Sequence, residues 1–305
     1  MSQQQETYDV VVVGGGPAGL SAAFWLARYR RRVVVFDAGD PRNAETWAVH
    51  GFPGIPEVEP YELRRQMKQQ ALEAGAEFEA ARVDAVEGEP DDFRVRLSDA
   101  REFRARRVLL CTGLKDILLE VPGFEALWGT SIWHCPDCDG PGVAGLRVGV
   151  VGWGRQIAAF STYLLTWTDR VTVLTHGHSP EMPEKSQAAL ARFEIPVRTE
   201  VIERLEGRDG CIDRVVFHTG DSAEFDALFV HIASGPGSTL AADLGCEADE
   251  EGILQVDPDF LTSVPGVYAA GDITPGSRLA IRAAYEGVRA AVGIHKGLIP
   301  EERKV

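Results

Sequence analysis

The sequence predicts an α/β fold with two Rossmann-like nucleotide-binding domains. Three apolar, strand-like runs lead to this prediction. The runs at 8–13 and 147–152 each lead into a glycine-rich turn and a helix-like segment, and the run at 264–273 carries Gly-Asp before another helix-like segment. A buried strand, a glycine turn and a helix in succession form the βα unit of a parallel sheet. The 305 residues are enough for two such domains.

Composition and charge narrow the function classes. Hydrophobic residues make up 45% and charged residues 25% of the chain, as in soluble globular proteins. The net charge of −15 repels phosphate backbones, so we expect no nucleic-acid partner. The start, MSQQQETYD, lacks the basic and apolar regions of a signal peptide, and no apolar run approaches the roughly 18 residues of a membrane span. We therefore expect a cytoplasmic protein without a membrane partner.

The first glycine turn carries the strongest pattern in the chain. Tyr8–Val13 is apolar and β-branched, which predicts a buried parallel strand. Gly14, Gly16 and Gly19 then form the pattern GxGxxG. Gly14 permits a tight strand-to-helix turn, Gly16 lets a pyrophosphate approach the backbone, and Gly19 lets the helix pack against the strand.

The segment after this turn completes the dinucleotide pattern. Residues 18–29 have helical spacing, and residues 32–36 predict a second buried strand that leads to Asp37, 23 residues after Gly14. An acid at that place accepts hydrogen bonds from ribose hydroxyls. An ordinary glycine-rich turn between a strand and a helix is the alternative interpretation.

The far end of the chain indicates which dinucleotide binds. The strand-like run VPGVYAAGDI contains Gly271 and Asp272, a helix-like segment covers 277–298, and a midchain strand at 106–114 carries Thr-Gly. Together with the first turn, these segments resemble the flavoprotein disulfide reductase superfamily. The resemblance implies FAD, with Asp272 at its ribityl and pyrophosphate groups and the N-terminus of the last helix at the flavin ring.

The loop at 39–54 falls where this superfamily has a flavin-contacting loop, so Arg42 and Asn43 are candidates. A Pro/Gly-rich surface loop is the alternative. By the resemblance, Arg278 and Ala280 would lie beside the flavin ring. The candidate FAD-binding residues are Gly14, Gly16, Pro17, Ala18, Gly19, Asp37, Ala38, Arg42, Asn43, Thr112, Gly113, Gly271, Asp272, Arg278, Leu279 and Ala280.

The segment SIWHCPDCDGPG holds a CxxC motif, Cys135 and Cys138, followed by Asp139. A zinc site needs four ligands, whereas the chain offers a single CxxC and the neighbouring His134, so we predict no metal. In a cytoplasmic protein such a pair is more often a redox centre than a static disulfide, which stays the alternative. At the start of a helix its thiols have a lowered pKa. We assign no role to the scattered cysteines Cys111, Cys211 and Cys246.

The order of these motifs resembles the low-molecular-weight thioredoxin reductases over nearly the whole chain. The resemblance implies an FAD-binding domain formed by 1–116 and 241–305. An inserted domain at 117–240 would carry the CxxC motif and the second glycine turn. The family also implies a homodimer and a hinge between the two domains.

The second glycine turn departs from the family pattern. Gly152, Trp153 and Gly154 are the candidate residues for a second nucleotide, but Ile157 stands where a third small residue is expected. We expect this side chain to push the helix off its strand or to move the phosphate seat. No arginine occurs from 171 to 190, where the family has arginines for the 2′-phosphate of NADPH, and histidine binds phosphate poorly by comparison.

The sequence therefore predicts an FAD-dependent disulfide oxidoreductase. By the resemblance, Cys138 lies nearer the flavin, Cys135 attacks the disulfide of a thioredoxin-like protein or a small molecule, and Asp139 protonates the leaving thiolate. We expect the donor to be ferredoxin, or a second FAD at the NADPH position that stacks on Trp153. The alternatives are a conventional NAD(P)H-dependent enzyme, oxidation of a substrate dithiol, a redox sensor without turnover, and a monooxygenase-like protein with an incidental CxxC.

Overall fold

The computed structural model describes residues 7–179 and 182–303. Its strands are β1 Tyr8–Val13, β2 Val33–Asp37, β3 Glu77–Ala80, β4 Val83–Glu87, β5 Phe93–Leu97, β6 Glu102–Leu110, β7 Leu114–Asp116, β8 Ile132–Trp133, β9 Val148–Gly152, β10 Val171–Leu174, β11 Val197–Arg198, β12 Ile202–Arg208, β13 Cys211–Phe217, β14 Ser222–Glu224, β15 Ala227–His231, β16 Ser234–Pro236 and β17 Val267–Ala269. Its α-helices are α1 Pro17–Arg28, α2 Pro60–Glu73, α3 Pro136–Asp139, α4 Ile157–Tyr163, α5 Glu184–Arg192, α6 Leu240–Asp243 and α7 Ala280–Gly297. No helix within these described ranges is long and apolar enough to cross a lipid bilayer.

The chain forms two compact units. The first comprises 1–44, 51–116 and 234–305, and the second comprises 45–50 and 117–233. The predicted end of the insertion at residue 240 therefore lies beyond the observed one. The chain re-enters the first unit at β16 because that strand pairs with β7.

The first unit is built on a mixed sheet with strand order β3-β2-β1-β6-β5-β4, and β17 pairs with β6. The strand β1 pairs in parallel with β2 and β6, and these strands are apolar and buried, as expected for parallel strands covered on both faces. The edge from β6 to β4 is antiparallel, so the prediction of parallel sheets fails at this edge. It holds for the rest of the sheet, where β3 pairs in parallel with β2 and β17 with β6. The alternating sequence FRVRL of β5 explains this edge, because its charged side chains face water.

The helices α1 and α7 pack closely on one face of this sheet. A Cβ on Gly287 of α7 would overlap the carbonyl oxygen of Ala18 in α1. A Cβ on Gly19 would overlap the carbonyl oxygen of Gly14, which brings α1 against the end of β1. These glycines let the backbones approach, so the start of α1 is held at the strand end where a dinucleotide binds.

The second unit contains a parallel sheet with strand order β11-β10-β9-β15-β8 and a separate antiparallel sheet of β12, β13 and β14. The apolar strand β9 lies at the centre of the parallel sheet, between β10 and β15. The buried residues of this unit form two clusters, one of which includes Ile157 and Phe229 and the other Phe124 and Phe217. The glycine turn after β9 is therefore flanked by residues of a hydrophobic core within the second unit.

Several predicted elements end earlier or begin later than the sequence pattern indicated. The strand predicted at 106–114 ends at Leu110, because the chain turns at Gly113, whose φ is +63°. The helix predicted at 277–298 begins only at Ala280, after a turn rich in Pro, Gly and Ser. The strands β1 and β2 lie within one residue of their predicted bounds.

We predict that Gly287→Ala destabilises the protein by about 1 to 3 kcal/mol, because the added methyl group overlaps the backbone of α1 and the helix must shift. Gly235→Ala is the matched control, since a Cβ there has no atom within 4 Å. Thermal unfolding of both variants checks this expectation. Equal melting temperatures for the two variants would contradict the close helix packing.

Candidate functional site

The first glycine turn has the backbone geometry of a phosphate-binding turn. Gly14 has φ of +108°, and a Cβ there would overlap the carbonyl oxygen of Cys111. Gly16 borders open space, because a Cβ there would have no atom within 4 Å. The helix α1 begins directly after it, at Pro17, with Ala18 and Gly19 in its first turn. This arrangement leaves room for a pyrophosphate beside Gly16 at the N-terminus of a twelve-residue helix.

Asp37 lies at the end of β2, beside this turn. Its carboxylate accepts hydrogen bonds from the backbone N–H groups of Gly15 at 2.8 Å and Gly39 at 3.1 Å, and from Arg64. Arg64 also donates to the carbonyl oxygen of Gly15 at 2.9 Å, and burial lowers the pKa of its guanidinium. Sequence reasoning missed Arg64, because nothing in the pattern of α2 ties it to the glycine turn. The exposed Ala38 follows Asp37 directly.

Arg42 and Asp272 are far apart in sequence but paired in the structure. The Nη1 of Arg42 donates to Oδ2 of Asp272 at 3.0 Å, and its Nε donates to Asp116 at 2.9 Å. Burial lowers the pKa of Arg42, but the carboxylates of Asp116 and Asp272 outweigh this effect and raise it above its ordinary value. Asp272 is therefore held as an oriented carboxylate, and the half-buried Asn43 follows Arg42 in the same loop.

A buried ion pair on α7 fixes the turn that carries Asp272. Glu286 is 5% exposed and accepts hydrogen bonds from the backbone N–H of Gly271 at 2.9 Å and the hydroxyl of Thr274 at 2.7 Å. Arg282 donates to the other oxygen of Glu286 from Nε at 2.9 Å. The sequence did not predict that this pair is buried, because an acid and a base four residues apart on a helix usually form a pair on the surface.

One polar atom of this region lacks a partner. The Nε of Arg278 is buried and has no hydrogen-bond acceptor among the described residues. A buried donor without an acceptor is costly, so this atom fits a bound group that supplies one. Leu279 and Ala280 follow it as the N-cap and first residue of α7. Together with the open space at Gly16, this orphan donor fits a dinucleotide that runs from α1 to α7 within the first unit.

Thr112 and Gly113 lie at the turn after β6. A Cβ on Gly237 would overlap the carbonyl oxygen of Thr112, and the N–H of Gly237 donates to the carbonyl oxygen of Gly113 at 2.9 Å. The neighbouring Cys111 is buried, and burial followed by the charge of Glu286 raises the pKa of its thiol. A thiol with a raised pKa stays protonated at neutral pH, which agrees with giving Cys111 no role.

The CxxC motif is a disulfide in the second unit. Cys135 and Cys138 are bonded, with Cα atoms 5.3 Å apart, and the Sγ of Cys135 accepts a hydrogen bond from the N–H of Cys138 at 3.2 Å. Both cysteines are partly exposed. The pair sits on the four-residue helix α3, with Cys135 as its N-cap. A disulfide on a short surface turn is accessible to a dithiol or to a partner disulfide.

Asp139 lies next to the disulfide and has an unusual acidity. Burial raises the pKa of its carboxyl group to about 6, and the nearby His50 acts in the opposite direction. A carboxyl group with that pKa can give a proton to a thiolate or take one from a thiol near neutral pH. Sequence reasoning missed His50, because this residue is far from the CxxC motif along the chain. In the structure, the segment 45–50 belongs to the same compact unit as the motif.

The second glycine turn is built differently from the first. The helix α1 begins at the residue after its second glycine, whereas α4 begins only at Ile157, three residues after Gly154. Ile157 is fully buried, and its Cδ1 would lie 2.8 Å from a Cβ on Gly152. Its side chain therefore occupies the space beneath the turn, and the helical N–H groups start further from the second glycine than they do at α1.

Trp153 lies in the second glycine turn, and His178 lies in the loop after β10. Their rings stack with centroids 3.8 Å apart, which connects the turn after β9 to the loop after β10. In a nucleotide-binding βαβ unit the adenosine lies between these two loops. His176 accepts a hydrogen bond from the N–H of Ile202 at 3.0 Å, and burial, then His178 and His218, lower its pKa, so this imidazole is neutral at pH 7.

The arginine on the neighbouring strand does not replace the missing phosphate ligands. Arg198 lies on β11, opposite Leu174 of β10. Its Nη2 donates to Glu200 at 2.6 Å and to Asp221 at 2.5 Å. Two carboxylates therefore already neutralise the guanidinium group, and it offers little positive charge to a 2′-phosphate.

The family of pyridine nucleotide-disulphide oxidoreductases matches residues 8–287 of the chain. A thioredoxin reductase of Bacillus subtilis is 28% identical over 95% of this chain and 95% of its own length. The thioredoxin reductase tcpT of Claviceps purpurea is 32% identical over 87% of this chain and 86% of its own length. The crystal structure of HlmI superposes with a TM-score of 0.91 at 35% identity, over 97% of this chain and 94% of that one.

We predict that Asp139→Asn stabilises the protein above pH 6 and leaves its stability nearly unchanged at pH 4. Because the folded pKa of about 6 lies above the value of 3.8 for an unperturbed carboxyl, the folded state binds this proton more tightly than the unfolded chain. That contribution to stability is complete below about pH 4 and is lost as the pH rises through 6. The expected gain at pH 8 is about 3 kcal/mol, because the shift of about two pKa units is worth roughly 1.4 kcal/mol per unit.

Chemical unfolding of both proteins at pH 4 and pH 8 measures this gain. Asp213→Asn is the control, because Asp213 is an exposed acid of the same unit. An equal effect of Asp139→Asn at both pH values would mean that the carboxyl group has an ordinary pKa.

Proposed function

The chain belongs to the pyridine nucleotide-disulphide oxidoreductase family, and on that premise we propose that it exchanges electrons between FAD and the Cys135–Cys138 disulfide with a donor other than NADPH. It is a thioredoxin reductase-like, flavin-dependent disulfide oxidoreductase. The observation that carries the proposal is the accessible disulfide next to a carboxyl group with a pKa of about 6. A purely structural disulfide needs no such proton donor.

The exchange with a partner disulfide balances with the residues of this turn. In the reduced pair, the Cys135 thiolate attacks the partner disulfide, one partner sulfur leaves, and Asp139 protonates it. Cys138 then attacks the sulfur of Cys135, which releases the second partner thiol and restores the disulfide. The net reaction converts one partner disulfide to two thiols and the protein's two thiols to one disulfide.

The first unit holds the residues that would bind FAD. FAD supplies a two-electron carrier that reduces or oxidises the cysteine pair. Gly16 and α1 would receive the pyrophosphate, Asp37 would accept from ribose hydroxyls, and Asp272 would accept from the ribityl chain. Arg42 orients Asp272, and the buried Glu286 holds the turn on which Asp272 lies.

The second glycine turn supports a donor other than a pyridine nucleotide. The stacked rings of Trp153 and His178 lie between the two loops that would enclose an adenosine, and the delayed start of α4 removes helical N–H groups from the phosphate seat. Ferredoxin, or a second FAD stacked on Trp153, would supply electrons instead. A conventional NAD(P)H-dependent enzyme would have to separate the two rings before the nucleotide could bind.

The relatives named thioredoxin reductase support a thioredoxin-like protein, or a small disulfide, as the acceptor. A homodimer is the assembly expected from the family resemblance. The disulfide itself is partly exposed on α3, as an exchange with either kind of acceptor requires.

A second candidate function is oxidation of a substrate dithiol, and the obstructed second turn favours it. In that direction two substrate thiols would become a disulfide while Cys135–Cys138 is reduced to the dithiol. FAD would carry the two electrons from the dithiol to dioxygen or another oxidant, which would restore the Cys135–Cys138 disulfide. Such an enzyme needs no nucleotide donor. Asp139 then acts as a base, since a carboxyl group with a pKa of about 6 is mostly ionised above neutral pH.

We predict that NADPH and NADH do not bleach the flavin of the holoprotein under anaerobic conditions, because Trp153 and His178 obstruct the nucleotide site. Excess dithiothreitol should bleach it through the cysteine pair, and dithionite should bleach it directly. Flavin absorbance after rapid mixing is the measurement. Rapid bleaching by NADPH would establish the conventional enzyme and refute the proposed donor.

We predict that Asp139→Asn slows flavin reduction by dithiothreitol about 10²-fold or more at pH 7.5, because the attacking thiol loses its proton acceptor. Cys138→Ser should abolish the reaction, and the exposed Asp213→Asn should leave it unchanged. A rate unchanged by Asp139→Asn would favour a sensor that switches without acid–base catalysis. A rate unchanged by Cys138→Ser would make the CxxC incidental.

A further inference from the structure

An acidic residue lies inside the CxxC motif and is held from the helix that follows the second glycine turn. Asp137 stands between Cys135 and Cys138 and is exposed on α3. The hydroxyl of Tyr163, near the end of α4, donates to Oδ1 of Asp137 at 2.5 Å. This hydrogen bond raises the pKa of Tyr163, so the phenol stays neutral and remains the donor.

A second side chain from the same region fixes the end of the turn. The indole of Trp167 lies edge-on to the ring of Tyr163, with centroids 5.5 Å apart at 90°. A Cβ on the buried Gly140 would lie 2.7 Å from that indole. Two side chains therefore contact the disulfide turn: Tyr163 binds Asp137, and Trp167 packs against Gly140. Both contacts lie within the second unit.

The charge of Asp137 acts on whichever cysteine is ionised. Asp137 lies within one helical turn of both sulfurs, and a neighbouring negative charge disfavours a thiolate. The hydrogen bond from Tyr163 withdraws part of that charge. A less stable thiolate makes the reduced pair less stable, which makes the pair a stronger reductant.

We propose that Tyr163 and Asp137 together set the thiol acidity and the reduction potential of Cys135–Cys138, with Tyr163 as a positioning residue that moderates the charge of Asp137. This inference rests on the proposed function, since it concerns the same redox pair. The other ionisable groups of this turn and its neighbours are Asp139, His134 and His50. None of these is altered by the substitutions that test the proposal.

Two substitutions separate the charge of Asp137 from its hydrogen bond. Asp137→Asn keeps an oxygen that accepts from Tyr163 and removes the charge. Tyr163→Phe removes the hydrogen bond and leaves the charge. If the pair only anchored the turn, both variants would change the cysteines in the same direction or not at all. If it sets the acidity, the two variants change them in opposite directions.

The experiment equilibrates the FAD-loaded protein in dithiothreitol buffers of graded oxidation state and measures the fraction of alkylated Cys135 and Cys138. For Asp137→Asn we expect the equilibrium to shift about threefold toward the dithiol, or about 14 mV more positive. We also expect the lowest thiol pKa, from the pH dependence of alkylation, to fall by about half a unit. Tyr163→Phe should shift both quantities the other way.

Tyr61→Phe and Asp213→Asn are the controls, since both residues are exposed and lie outside this turn. Flavin content and thermal unfolding show that each variant folds. This inference alone would be overturned if the wild-type cysteines change from disulfide to dithiol across the buffers but both test variants equal the wild type. A shift of both variants in the same direction would overturn it as well. A wild-type pair that stays oxidised in every buffer would overturn the proposed function with it.

Discussion

The close approach of α1 and α7 at Ala18 is the contact on which the first unit depends. The carbonyl oxygen of Ala18 lies where a Cβ on Gly287 would be, and its own Cβ would lie 3.0 Å from a Cβ on Gly271. This one residue therefore touches both the helix and the turn that come from the far end of the chain. Because backbone meets backbone there, the phosphate turn after β1 and the carboxylate after β17 are held together by packing that tolerates no side chain.

Buried charge completes what that packing begins. Arg282 and Glu286 form an ion pair on α7, and the second carboxylate oxygen of Glu286 accepts a hydrogen bond from the backbone N–H of Gly271. Breaking such a pair leaves a buried charge without a partner, which is why it holds the turn firmly. Arg42 reaches Asp272 from the other side. The carboxylate proposed to meet the cofactor is thus oriented before any cofactor arrives, and preorganisation of this kind lowers the entropic cost of binding.

The second unit repeats the βα architecture with a different outcome. Ile157 is buried beneath the second glycine turn, and α4 begins only at this residue. The stacked rings of Trp153 and His178 connect the turn after β9 with the loop after β10. The same helix then extends toward the redox turn and presents Tyr163 to Asp137. In the nucleotide-binding βα pattern the helix after the glycine turn meets the phosphates. Here the helix in that position also contacts the disulfide turn. The proposed donor depends on the second glycine turn and the start of this helix, and the proposed control of the cysteine pair depends on its end, at Tyr163.

The sequence by itself determined the α/β class, the strands β1 and β2, the glycine turns and the CxxC motif, because these depend on local pattern and on the backbone freedom of glycine. It also indicated the weak second turn, since Ile157 and the missing arginines are visible as residue types. Only the tertiary structure decided which distant side chains meet: Arg64 with Asp37, Arg42 with Asp272, Trp153 with His178, and Tyr163 with Asp137. It also decided the acidity of Asp139, because burial is a property of the packed chain and not of the residues beside it.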